Sequence, residues 1–222
     1  MNISAYLFGI FDHRYTQYPA DGNDSFFEYC IKLSRNDEQM IVRRRERLMY
    51  YTFVKFLDKK HESCIGLSLS FGDLAATSYK HLYQLFGDGI ESLAMEGEIL
   101  SYDNDDITPN CMALNDKGVE IRTLEKYLRS KMDYIDLDLK PLPPVSYANS
   151  RNSVKYTSLG KNKESIQSYI NTYGFTIISS NIDEGSEFES ELEKILYPNG
   201  RKKGHGKNTN FITNYIKKLL CK

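Results

Sequence analysis

Alternating apolar and polar positions mark out most of the elements of this chain. Residues 3–11 carry enough β-forming side chains to predict a first strand, and the Pro-, Gly- and Asp-containing stretch from Asp12 to Asp24 predicts a loop. Ser25 and Glu28 have the spacing of a capping box, in which each side chain satisfies a free amide of the other, so a short helix is expected to run to about Ser34. Residues 39–44 and 48–57 then read as a hairpin with a charged tip. The second of these runs is apolar on both faces, as a central strand covered on each side requires.

In residues 63–71 the side chains divide by face. Ile65, Leu67, Leu69 and Phe71 fall on one side and Cys64, Gly66, Ser68 and Ser70 on the other, so one face is core and the other is small enough for something to approach closely. From Ser78 to Gly97 the apolar residues recur every three or four positions, which predicts a long amphipathic helix, with a bend expected at Gly87 and Gly89. The order β-α-β-β-β-α implies an α+β fold, a mainly antiparallel sheet flanked by helices, over residues 1–140.

An acidic turn at Asp103–Asp106 precedes a further helix at 116–134, with Val119, Ile121, Leu124, Tyr127 and Leu128 as its buried stripe. Pro141, Pro143 and Pro144 break any helix and predict a linker. Beyond them, residues 145–198 read as a small β-α-β-α unit whose last helix opens at Ser186 with capping-box spacing. Residues 199–222 form a basic segment ending in an amphipathic helix.

Composition narrows the class. With 41% hydrophobic, 13% aromatic and 27% charged residues, disorder, collagen and a coiled coil are excluded, and 222 residues allow one or two domains. The net charge of −1 conceals a separation. Seven basic residues and no acidic one lie in 199–222, which leaves 22 basic against 30 acidic, a net of −8, for residues 1–198. No run of apolar residues is long enough to cross a membrane, and Met1–Ser4 lacks a basic leader, so a cytoplasmic protein is expected. The four cysteines form no CxxC pair, and the histidines show no ligand spacing, so neither a metal nor another cofactor is expected.

Each candidate motif has a bland competitor. Gly206, Lys207 and Thr209 suggest a phosphate loop, but the required Gly and Ser/Thr are replaced by Arg201 and Asn208. Gly66 and Ser68 resemble a nucleophile elbow, yet the serine lies within a strand. A catalytic reading would require Asp12 and His13 to meet the Ser68 face. The acidic turn lacks the third oxygen ligand, glycine and glutamate of a calcium loop. What remains is two basic clusters, Arg43, Arg44, Arg45 and Arg47 at the hairpin tip and Arg201, Lys202, Lys203 and Lys207 near the end. A terminal helix follows, whose stripe includes Phe211, Tyr215, Ile216 and Leu219.

The runs 7–12, 15–19, 48–51, 142–147 and 152–155 together resemble a group of bacterial proteins without assigned activity, in which an α+β domain precedes a small domain, often with a coiled-coil extension. The resemblance spans about residues 3–180 and implies no catalytic residue; this chain departs from it in its arginine-rich tip, where Asp-Gly is usual, and in its short basic ending. The element order is also similar to longin-like or profilin-like scaffolds, which mostly bind partners. The expectation is therefore a non-enzymatic interaction or regulatory module that binds a protein partner or a second copy. Binding of nucleic acid through the two basic clusters is the alternative.

Overall fold

The computed structural model describes residues 3–11, 13–20, 24–34, 38–45, 48–58, 63–72, 74–76, 79–110, 114–132, 139–141 and 153–180. They belong to a compact unit spanning Met1–Glu184. The helix expected at Ser186, the linker prolines after Pro141, and Arg47, Arg201, Lys202, Lys203, Lys207, Phe211, Tyr215, Ile216 and Leu219 lie outside the described residues.

The fold is α+β. Strands β1 (Ile3–Phe11), β2 (Arg14–Tyr18), β3 (Glu38–Arg45), β4 (Leu48–Asp58), β5 (Ser63–Gly72), β10 (Val154–Ser158) and β11 (Phe175–Ser179) form one mixed sheet in the order β10-β11-β3-β4-β5-β1-β2. Strand β4 is near its centre, as its two-sided apolarity required. Two short pairs stand apart from this sheet: β6 (Leu74–Ala76) with β9 (Leu139–Pro141), and β7 (Leu100–Asp103) with β8 (Asp106–Pro109). The helices are α1 (Asp24–Leu33), α2 (Tyr79–Glu96), α3 (Gly118–Met132), which follows a 3₁₀ turn at Leu114–Lys117, and α4 (Lys163–Thr172).

Two features differ from expectation. Arg14–Tyr18 is a strand, not a loop: Phe11 pairs with Arg14 across a two-residue turn in which His13 takes φ 61°, and the β-forming Tyr15, Thr16 and Tyr18 outweigh the turn residues on either side. Helix α2 runs through Gly87 and Gly89 as one element, and Gly89 is where α3 comes close. A Cβ there would stand 3.2 Å from Leu128 and 3.3 Å from Leu67. Strands β10 and β11 do not make a sheet of their own. They pair in parallel across α4, whose first turn is capped by the Asn162 side chain accepting from the Ser165 amide at 2.8 Å, and β11 adds to the edge of β3.

The register assigns the faces. Leu7, Leu67, Phe53, Met40 and Ile178 form one cross-sheet row, packed with Leu82, Phe86 and Ile90 of α2, Leu124 and Leu128 of α3, and Ile166 and Ile170 of α4. The opposite row, Tyr6, Ser68, Thr52, Ile41 and Ile177, lies on the side of α1. There Phe27 of α1 stacks on Phe8 at 4.6 Å between centroids, and the Phe8 ring lies over Gly66, whose missing side chain makes the space.

Candidate functional site

The small-residue side of β5 is closed. Cys64, Ser68 and Ser70 are 0%, 1% and 2% exposed, so nothing from solution reaches them. Ser68 Oγ and Thr52 Oγ1 hydrogen-bond to each other at 2.8 Å, and Cys30 of α1 hydrogen-bonds to Thr52. Burial pushes the Cys30 thiol well up, although the Arg43 charge and the Thr52 bond pull the other way, and burial pushes the Cys64 thiol up to about 12. Protonated thiols and a mutually satisfied hydroxyl pair are poor nucleophiles. Their chemistry is internal: they join α1 to β4 and β5.

The catalytic reading fails on distance. Ser68 pairs with Tyr6, whereas His13 lies past Phe11 at the far end of β1, so at about 3.3 Å per residue they stand on the order of 16 Å or more apart. Asp12 lies outside the described residues. His81 is exposed on α2, and among the described residues no three metal-ligating side chains gather into one site.

The hairpin tip shows how strand alternation disperses charge. Arg43, Arg44 and Arg45 are opposite Tyr50, Met49 and Leu48, so Arg43 and Arg44 take opposite faces. The Arg43 guanidinium carbon lies 4.2 Å from the centroid of the Phe175 ring and 5.5 Å from that of Phe26. Phe26 also packs on Tyr50 at 4.9 Å, and Tyr29 on Phe175 at 5.1 Å. Arg43 therefore joins the arginine strand, α1 and β11 through cation–π contact and is only partly exposed, so it serves that packing rather than standing free for an anion. Arg44 is also only partly exposed. The sequence carried one signal for this arrangement, the shared face of Arg43 and Tyr50 in the hairpin register. The third participant, Phe175, is brought in by the pairing of β11 with β3.

On the other face, a polar network lies at the rim where α2 crosses the sheet. Tyr83 donates its hydroxyl to Glu38, to the backbone oxygen at 3.3 Å and to Oε1 at 3.2 Å. Burial first and the Glu38 charge second push this phenol up to about 12. Lys55 bridges Glu38 at 3.8 Å and Glu91 at 3.6 Å, and Tyr102 donates to Glu91.

Tyr102 belongs to the β7–β8 hairpin, whose two-residue turn holds Asn104 at φ 50° and Asp105 at φ 70°. Positive φ at both central residues is the turn that matches strand twist, and Asn and Asp tolerate it. The tip residues Asp103, Asn104, Asp105 and Asp106 all face solvent. No helix of the described residues is long and apolar enough to cross a membrane. Compared with known proteins, the chain matches no family model, no curated protein and no solved structure.

Proposed function

We propose that this protein is a non-enzymatic interaction module that binds a protein partner through its basic terminal segment. The observation that carries the reading is the charge separation, −8 over residues 1–198 against seven basic residues and no acidic one in 199–222. In that segment the stripe of Phe211, Tyr215, Ile216 and Leu219 needs an apolar surface to bury it. The internal use of the Ser68, Cys30 and Arg43 side chains supports the same reading, because residue types that could serve catalysis or anion binding are engaged in packing α1 to the sheet.

Removing residues 200–222 from the tagged protein should abolish capture of its partner in a pull-down, and so should changing the seven basic residues of the segment to Gln in the full chain. An unchanged set of captured proteins overturns the reading. Nucleic-acid binding, the alternative, would show as a mobility shift whose log affinity falls with log salt. The stacking of Arg43 on Phe175 and Phe26 takes that one arginine out of the basic cluster which the alternative would use.

A further inference from the structure

The end of α2 and the β7–β8 hairpin present a surface of one charge. From His81 through Asp116 the chain has eight carboxylates and no lysine or arginine. Glu91 and Glu98 are met by Lys55 and Lys117 from outside this stretch, at 3.6 and 3.1 Å. Glu96, Asp103, Asp105 and Asp106 are exposed and join no ion pair among the described residues. Two large apolar side chains stand among them: Met95, 80% exposed, and Tyr102, 47% exposed. Both flank Glu91: Met95 lies one turn beyond it on α2, and Glu91 accepts the Tyr102 hydroxyl. An exposed methionine is adaptable and suits a docking surface, and carboxylates around it select a cationic visitor.

The complementary chemistry is present in the same sequence: residues 199–222 combine seven basic residues, no acidic one, and an apolar stripe at helical spacing. We propose that the Met95–Tyr102 surface with its carboxylate rim docks the basic segment 199–222 of a second copy of this chain. The inference rests on the reading that this segment is the binding element, and it names what the segment binds. Lysines of the segment face the aspartates of the hairpin tip, while Met95 and Tyr102 receive its apolar stripe. Reciprocal exchange between two copies closes the arrangement as a two-fold dimer.

The test is a titration of a fluorescein-labelled peptide of residues 199–222 with a full-length chain in which the seven basic residues of the segment are Gln, so that the surface is unoccupied. Binding should be saturable and weaken with salt. It should drop by about tenfold when Asp103, Asp105 and Asp106 are changed to Asn, since three exposed ion pairs are lost. Asn is at home in the turn's backbone conformation, and Met95→Ser, at an exposed site, provides a second variant expected to weaken binding independently. Light scattering of the unaltered chain should show a dimer that dissociates in high salt and is absent in the Gln-substituted chain. Equal affinity for the peptide with and without the aspartates and Met95 overturns the proposal. So does a monomeric unaltered chain, even where the Gln-substituted chain binds the peptide, since the segment would then occupy the surface of its own copy and not that of a second one. If the peptide ignores this surface while partner capture still depends on residues 200–222, this inference falls and the interaction reading stands.

Discussion

A Cβ placed on Gly66 would stand 2.2 Å from the Phe8 ring, which is itself held against Phe27, whereas one placed on Gly87 in α2 would meet nothing within 4 Å. Two changes of the same size should therefore have opposite signs. Gly66→Ala is expected to destabilise the protein by about 1–3 kcal/mol through overpacking, and Gly87→Ala to stabilise it by up to ~1 kcal/mol through backbone entropy and helix propensity. Urea midpoints at unchanged slope will report both, and a shift of the same sign for the two would refute the assignment of their surroundings. At this scale the sequence was a partial guide. The alternation in β5 identified Gly66, Ser68 and Ser70 as one face, but whether that face was open depended on Phe8 and Phe27, which alternation within a single strand does not position. Arg43 was legible as a residue of the tip and not as a stacking partner, because Phe175 reaches it only once β11 has joined the sheet.

Elements whose own periodicity matches their environment could be read directly. Helices α2 and α3 show their stripes in sequence, and β4 shows the continuous apolarity of a strand covered on both sides. Where an element depends on a distant neighbour, local pattern was not enough. Gly89 reads as a weak point until Leu124 and Leu128 of α3 are seen against it, and residues 145–198, of which 153–180 are described, read as a separate unit until β11 is paired with β3. That pairing carries an expectation of its own. Ile178, fully buried and opposite Met40, contributes to the same core as α2 and α4, so Ile178→Ala should cost about 2–4 kcal/mol. It should also lower hydrogen-exchange protection along β3 and β4 and not in β11 alone. Undiminished protection in β3 would mean that β10, α4 and β11 open as an independent unit.

For the whole molecule, several ionisable groups lie in surroundings that disfavour their charged forms. Cys64 and Tyr83 are raised to about 12 from ordinary values near 9 and 10, and the Cys30 thiol and Tyr51 phenol are raised as well, in each case chiefly by burial. In the unfolded chain these groups release their protons as pH passes about 9 to 10, while the native protein keeps them. The unfolded state then binds fewer protons, and stability falls as pH rises from about 9 towards 12. Urea midpoints at about pH 8 and about pH 10.5 should decrease in that order, and an increase would contradict the buried placement of these side chains. The addition of β11 to β3 also has a consequence for the chain as it is made. Val42 waits for Thr176, some 130 residues later in the sequence, which at cellular rates of elongation is on the order of 10 s. For that interval the β3 edge is an unfinished strand beside the ribosome, and its end carries Arg43, Arg44 and Arg45. Positive charge on a waiting edge opposes pairing with another nascent chain. The residues that later lie against Phe175 and at the hairpin tip thus protect the sheet before it is complete.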